Sequence, residues 1–417
     1  MSRHDPPCPM SVPEGRLLCD LTQSWSAVGG GVGTYLRHKR QHILRSTPHR
    51  HLLIVPGAKD SVTEEGRAIT ATIASPKVPG SPNYRLLLRN GAVRKVLDRF
   101  RPDLIECQDA YNLPWAAIAH ARRNPGTALV AAYCTDFPVV YVERPFTRIV
   151  GRTIAGAASR LCYNYCGSLY RRFDMLYAMS ENGGAAKLRA LGLSPEVVPL
   201  GVELGEFSPE RRDPAIRATF GAADGTPLLI YAGRLDREKR ANTVVEAFQR
   251  LPDALGARLL LVGDGPLREE IVALADPRIH APGYIGDRNL LATLLASADL
   301  YVSGMADETF GISIIEAQAS GLPVVGVAAG AMIDRVDEAT GRLGPVDDSA
   351  AMAANIVDIL SADHGAMSRA AVAKAHYYGW DRSMEQLFGS LYPLALRSAA
   401  QRSLPGAATA RPAFAEA

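Results

Sequence analysis

The sequence predicts an α/β protein with two Rossmann-like domains facing each other across a cleft, and three observations lead there. From residue 16 to about 205, apolar runs of strand length alternate with helix-like segments. The alternation starts again after Pro209 and the polar stretch Glu210 to Asp213. A chain of 417 residues also exceeds one core of ordinary size, so two or three domains are expected. Strands and helices taking turns in this way imply mainly parallel sheets covered on both faces. Ligands of such sheets bind at the loops beyond the carboxyl ends of the strands, here expected to line one cleft.

In the first domain, set at residues 13–205, the runs Leu17 to Leu21, His51 to Pro56, Asp103 to Cys107, Ala128 to Tyr133 and Met175 to Met179 read as strands. In the second, 206–379, strands are expected at Leu228 to Ala232, Arg258 to Val262, Leu300 to Ser303 and Val324 to Val327. Trp380 to Leu396 has the pattern of a closing amphipathic helix, within a segment set at 380–400. Residues 1–12 and the Ala-, Arg- and Pro-rich 401–417 are expected to be disordered.

Hydrophobic content of 47% supports a globular chain, and no apolar stretch reaches the ~18 residues of a membrane span. The first residues, with Asp5, Pro6, Pro7 and Glu14, do not form a secretory signal, so the expected place is the cytoplasm. Six cysteines show no zinc spacing or disulfide framework and read as reduced packing residues, with Cys162 and Cys166 on one helix face. Net charge of +3 hides an asymmetry. Residues 1–205 carry 26 Lys and Arg against 16 Asp and Glu, and the remainder 20 against 27. Two basic segments stand out: Arg85, Arg89, Arg94, Lys95, Arg99 and Arg101 along one expected helix, and Arg144, Arg148, Arg152, Arg160, Arg171 and Arg172 among Tyr163, Tyr165, Tyr170 and Phe173. Both suit an anionic lipid surface at the inner face of a membrane, and both equally suit ordinary amphipathic helices with solvated basic faces. No nucleic-acid motif accompanies them, so nucleic acid is not an expected partner.

The segment Glu308-Thr-Phe-Gly-Ile-Ser-Ile-Ile-Glu316 places two carboxylates eight positions apart. Leu300 to Ser303 reads as a strand, Met305 to Thr309 as the loop beyond it, and Gly311 to Ser320 as a short helix closed by Gly321 and Pro323. Backbone N–H groups of Phe310, Gly311, Ile312 and Ser313 at that helix start favour a phosphate or another anion. Glu308 then stands beside the anion, and Glu316 on the second turn can accept hydrogen bonds from sugar hydroxyls.

In its setting, Asp307 to Val325, this segment closely resembles the signature of retaining glycosyltransferases of family 4, also called group 1. Further landmarks recur in order between about residues 16 and 396: the Gly-rich turn Gly29 to Tyr35, Tyr231-Ala-Gly-Arg-Leu-Asp-Arg-Glu-Lys239, and Val262-Gly-Asp-Gly-Pro266. The resemblance implies the GT-B fold, with a C-terminal helix crossing back to the first domain. It also implies that Arg234 and Lys239 hold the donor diphosphate, Glu316 the ribose hydroxyls, and Glu308 lies near the donor sugar and phosphate. Arg supplies a bidentate fork and Lys a point charge, and both stabilise a departing diphosphate. No Asp-x-Asp metal motif is evident, so neither metal nor other cofactor is expected. Arg237 and Arg240 read as solvated neighbours.

The turn Gly29-Gly-Gly-Val-Gly33 lacks G-x-G-x-x-G spacing, which argues against a dinucleotide-dependent dehydrogenase. In the resembling family it approaches the donor, making Gly31 and Gly33 contact candidates; a purely structural tight turn is the alternative. Gly263 marks a strand-to-helix turn near the expected base pocket, where turn chemistry is equally open. On the acceptor side, Asp136 either orients the acceptor hydroxyl or serves a turn, and Asp109 and Tyr111 are further candidates. Cys134 stands where many family members carry a histidine, and a neutral thiol offers only a weak hydrogen bond. The whole points to transfer of a hexosyl unit (mannose, glucose or related) from a UDP- or GDP-sugar to a hydroxyl of a membrane lipid or envelope glycan. Rivals are the same chemistry on a soluble acceptor and a non-catalytic nucleotide-sugar-binding subunit.

Overall fold

A computed structural model of the chain describes residues 15–404 except 26–30, 79–80, 144–146, 148–150 and 224. The chain divides into two compact units. One comprises residues 1–179, 184–199 and 381–417, the other 180–183 and 200–380. The longer segments divide at Pro199/Leu200 and Trp380/Asp381, where the sequence reading set 205/206 and 379/380, and the short stretch 180–183 also belongs to the second unit.

The first unit is built on eight strands: β1 (Leu17–Leu21), β2 (Arg50–Gly57), β3 (Ser61–Glu65) and β4 (Ala68–Ala74), then, after a hairpin of β5 (Lys77–Val78) and β6 (Ser81–Arg85), β7 (Leu104–Cys107), β8 (Ala128–Tyr133), β9 (Met175–Ala178) and β10 (Glu196–Val197). Their order is β10-β9-β8-β7-β1-β2-β4-β3, parallel throughout except for the β3–β4 edge. All residues of β1, β7 and β8 are buried, as a sheet covered on both faces requires. The second unit has six parallel strands, β11 (Leu228–Ala232), β12 (Arg258–Val262), β13 (Ile279–Gly283), β14 (Leu300–Val302), β15 (Val324–Val327) and β16 (Gly341–Gly344), ordered β13-β12-β11-β14-β15-β16. Several of its helices start at side-chain caps: Asp287, Asp348 and Asp363 each accept a hydrogen bond from the first-turn backbone.

The closing helix is longer and less regular than the sequence pattern suggests. Helical turns at Trp380–Gln386 pass through a wider turn at Leu387–Leu391 into Tyr392–Arg402. From Asp381 onward it belongs to the first unit, where Tyr392 donates to Glu106 at 2.5 Å and Ser398 to Asp174 at 2.8 Å. Residues 401–402 are therefore helical, and 405–417 lie outside the described residues, as do 1–12.

Both basic segments depart from expectation. Arg85 ends a strand, and the helix spans only Asn90–Phe100, because the backbone of the preceding leucines is already engaged. Leu86 N–H donates to Pro76 O and Leu87 N–H to the Gln23 side chain. In the second segment the helix is Arg152–Tyr170, while Arg144 and Arg148 lie outside the described residues. Its tyrosines turn inward: Tyr163 donates to Asp136, Tyr165 to the Tyr111 carbonyl, and Tyr170 is buried. Ile154 and Leu161, seven residues apart on one helix face, remain exposed at 60% and 71%.

Candidate active site

Each sheet has a place where strand order reverses, the position at which open α/β sheets form ligand crevices. In the second unit it falls between β11 and β14. The loop after β11 carries Arg234 and Lys239, and the loop after β14 carries Glu308. Lys239 Nζ stands 3.2 Å from Glu308 Oε2, so the two loops meet through the candidate site residues themselves. Arg234 is half-exposed and pairs with Asp236 at 2.8 Å and Glu238 at 2.9 Å. Both cations are engaged by carboxylates in partly exposed ion pairs. Arg237 is solvent-exposed as expected, but Arg240 is not a free neighbour: its guanidinium reaches Asp347 at 2.7 Å and Asp307 at 3.6 Å. Its backbone adopts φ +53° at the start of helix Ala241–Gln249.

The Glu308–Phe310 backbone is pinned at three consecutive carbonyls. Glu308 O accepts from Ala331 N–H at 2.8 Å, Thr309 O from Ser180 Oγ at 2.8 Å, and Phe310 O from Arg335 Nε at 2.9 Å. Arg335 is buried against the rings of Phe310 and Tyr378, and its second donor reaches Tyr378 OH at 3.0 Å. Gly311 follows with φ +86°, where a Cβ would stand 2.7 Å from Ile314 Cδ1. That residue turns the chain into helix Ile312–Ala319, whose first bonds run from Ile314 and Ile315 to Gly311 O. The N–H groups of Ile312 and Ser313 thus precede the intrahelical ladder and present an anion-favouring end. Tyr301 OH, on β14, donates to Ser313 Oγ at 2.9 Å and fixes that end to the sheet.

Glu316 is almost fully buried, and burial pushes its carboxyl up to about 7 although Arg288 opposes the shift. Arg288 Nη2 lies 3.1 Å from Glu316 Oε1, while its Nε lies 2.5 Å from Glu206 Oε2. Gly263 is required by the packing, since at its φ of +145° a Cβ would stand 1.8 Å from Gly233 O. The turn Gly263–Pro266 packs backbone to backbone on the loop that carries Arg234, with Leu235 N–H donating to Asp264 O at 3.0 Å.

In the first unit the reversal lies between β1 and β7. Asp109, beyond β7, is buried, and both its oxygens are taken by the loop after β1: Thr22 Oγ1 at 2.9 Å, Gln23 N–H at 2.5 Å and Ser24 Oγ at 2.5 Å. It organises that loop and leaves little for an acceptor. Asp136 is equally engaged, by Tyr133 OH at 2.8 Å, Tyr163 OH at 2.8 Å and Lys187 Nζ at 2.5 Å. Tyr111 packs edge-on against Phe137, ring centroids 4.8 Å apart. Cys134 is buried, which raises its thiol pKa well above the usual value. Gly31 and Gly33 lie in the first turn of helix Gly31–Ser46, not in an open turn; Gly29 and Gly30 lie outside the described residues.

Sequence reasoning missed Ser180, Lys187, Arg288, Tyr301 and Arg335. No local spacing joins them to their partners, since Arg288 lies 28 positions from Glu316 and Ser180 lies 129 from Thr309. A polar side chain inside an apolar run, as Tyr301 is, offered the one available signal.

Comparison with known proteins bears on the family and the fold. Residues 226–362 match the family described as glycosyl transferases group 1, and residues 29–206 match glycosyltransferase family 4. A GDP-mannose-dependent α-(1-6)-phosphatidylinositol dimannoside mannosyltransferase of Mycobacterium tuberculosis is 29% identical over 84% of this chain and 89% of its own. A D-inositol 3-phosphate glycosyltransferase of Mycobacteroides abscessus is 32% identical over 47% of this chain and 45% of its own. Among solved structures, sucrose-phosphate synthase from Thermosynechococcus elongatus superposes with a TM-score of 0.72 at 20% identity, covering 93% of this chain and all of that one. Anabaena HepE with UDP and glucose gives 0.66 at 18%, over 90% and 99%. With two Rossmann-like units of the GT-B kind and family matches along most of its length, the chain belongs to the group 1, family 4 glycosyltransferases.

Proposed function

We propose that the protein is a retaining hexosyltransferase that takes its sugar from a GDP- or UDP-sugar and passes it to a hydroxyl of a membrane lipid or lipid-linked glycan. The observation that carries the reading is the meeting of two loops at the β11/β14 reversal: Lys239, on the loop that also bears Arg234, stands 3.2 Å from Glu308, and the helix starting at Ile312 follows directly after Glu308. When the C1–O bond of the donor breaks, charge builds on the departing diphosphate, and these groups are aimed to stabilise it without metal. Lys239 exchanges Glu308 for phosphate, which leaves the Glu308 carboxylate beside the sugar. Attack comes from the face the leaving group departs, with the leaving phosphate oxygen accepting the acceptor's proton, so the anomeric configuration is kept.

The phosphatidylinositol dimannoside mannosyltransferase relative supports a hexose donor and a lipid-type acceptor, and makes GDP-mannose the first donor to test. Exposed Leu88, Ile154 and Leu161, with exposed Arg160, Arg171 and Arg172, support contact with an anionic membrane surface at its cytoplasmic face. Among the described residues no helix is long and apolar enough to cross a membrane.

A donor panel tests this reading. Purified protein is incubated with GDP-mannose, UDP-glucose, UDP-galactose and UDP-glucuronate, and nucleotide release is read with and without membrane lipid extract. Release from one donor that rises with lipid, with an α-linked product, is the expected result. Donor binding without release from any of them supports a non-catalytic nucleotide-sugar-binding subunit instead.

A further inference from the structure

Resting on that reading, and on the ribose-holding role that the family resemblance implies for Glu316, we propose that Arg288 is a positioning residue for the nucleotide: it holds Glu316 as an oriented carboxylate and leaves its second oxygen for the vicinal hydroxyls. The geometry is specific. Arg288 opens helix Arg288–Ser297 directly after its cap, Asp287, so its backbone is fixed. Its guanidinium lies over the ring of Phe207, 5.1 Å from the centroid, and is steered from behind by Glu206 at 2.5 Å. It delivers Nη2 to Oε1 of Glu316 at 3.1 Å. The Glu316 side chain is only 8% exposed, whereas that of Arg288 is 50% exposed. A carboxylate accepts hydrogen bonds at both oxygens; a protonated carboxyl must spend one as a donor. To receive two ribose hydroxyls from a nearly dry position, Glu316 needs a cation, and Arg288 provides one.

The groups acting on Glu316 are few. Burial raises its pKa, Arg288 lowers it through charge and hydrogen bond, and Glu206 raises it slightly further. Tyr301 of β14 faces it as a neutral phenol whose own pKa is raised by burial. Helix His364–His376, packed on the same helix, contributes none of the groups that shift it. Arg288 is half in water but Glu316 is nearly dry, so Arg288→Met leaves a buried carboxyl to take up a proton, and urea unfolding of each variant is measured beside binding to separate a folding loss from a ligand effect.

The experiment compares GDP and UDP with their 2′,3′-dideoxy forms by calorimetry between about pH 6 and 8.5, on wild type, Arg288→Met, Arg288→Lys and Glu206→Gln. In the wild type, the preference for the ribonucleotide should grow as pH rises through about 7, where Glu316 ionises. Arg288→Met should lose about tenfold of that preference at about pH 7.5 and shift its midpoint upward, with dideoxynucleotide binding unchanged. Arg288→Lys should restore most of it, and Glu206→Gln, whose amide oxygen still accepts from Arg288 Nε, should keep most of it. A ribose preference and pH profile untouched in Arg288→Met would overturn the proposal and leave the donor reading standing. Equal binding of ribo- and dideoxynucleotides by the wild type would also overturn it. Binding of neither GDP nor UDP by wild type would instead remove the donor reading and this proposal with it.

Discussion

The two strand-order reversals of this molecule are built to the same plan and filled in opposite ways. In the second unit, the side chains at the reversal are partly exposed, Lys239 paired with Glu308 and Arg234 with Asp236 and Glu238, in ion pairs that a ligand can exchange. In the first unit, Asp109 at the reversal and Asp136 beyond the neighbouring strand β8 are buried and saturated by their own loops and helices. Beneath them, Lys39 bridges Asp20 at 2.7 Å and Glu106 at 3.0 Å, His51 reaches Asp20 at 2.7 Å, and Tyr35, Tyr177 and Tyr392 close on Glu106. A carboxylate at the end of a parallel strand is therefore not by itself a ligand group. What separates a site from a brace is whether its partners can be displaced without leaving a charge in a dry place.

That contrast predicts its largest effect where the brace is broken. Lys39→Met leaves two buried carboxylates sharing no cation, and unfolding by urea at about pH 7 should show a loss of ~3–5 kcal/mol. Burial alone would raise Asp20, yet Lys39 and His51 hold it at about 2 against an ordinary 3.8. The stability this contributes is complete above pH 3.8 and drains as pH falls towards 2. The variant should lack that acid-sensitive part, and a wild-type-like acid profile in it would break the comparison. Lys239→Met should do the reverse: turnover falls ~10²–10³-fold while stability changes by less than ~1 kcal/mol, because its pair with Glu308 is partly solvated.

How far the sequence revealed this depended on range. Strands Leu17–Leu21, Ala128–Tyr133, Leu228–Ala232, Arg258–Val262 and Val324–Val327 stand where the apolar runs place them, because a strand buried on both faces writes a continuous run into the chain. Edge strands β3, β10, β13 and β16 were not legible, since half-exposed edges mix polar and apolar residues without a run. The Glu308–Glu316 spacing was legible because it is local. Its supports were not: Ser180, Arg288 and Arg335 arrive from other elements, and only the fold brings them there. Asp109 misled for the same reason. Its place beyond a strand end is local, while the Thr22–Ser24 loop that consumes it lies 85 to 87 positions away.

A smaller effect tests Asp109 as a brace. Asp109→Asn turns one acceptor into a donor facing either Ser24 Oγ or the Thr22 hydroxyl and Gln23 N–H, and should cost ~1–3 kcal/mol with nucleotide binding preserved. A loss of acceptor affinity at unchanged stability would move Asp109 from brace to site.

The smallest effect lies in the exchangeable pairs themselves. Arg234 Nη2 rests 2.9 Å from Glu238, and its side chain is 62% exposed. If the pair only parks the guanidinium, binding a diphosphate must first break it, at the modest cost of a solvated ion pair. Glu238→Gln removes that competitor while Asp236 still holds Nη1 at 2.8 Å. Donor affinity should then rise by about two- to threefold at low salt, and the gain should shrink as salt screens the pair. Weaker binding in the variant would mean that Glu238 aims the fork instead of occupying it. The second unit would then rely on the same kind of fixed carboxylate brace as the first, and the distinction between the two reversals would be one of exposure alone.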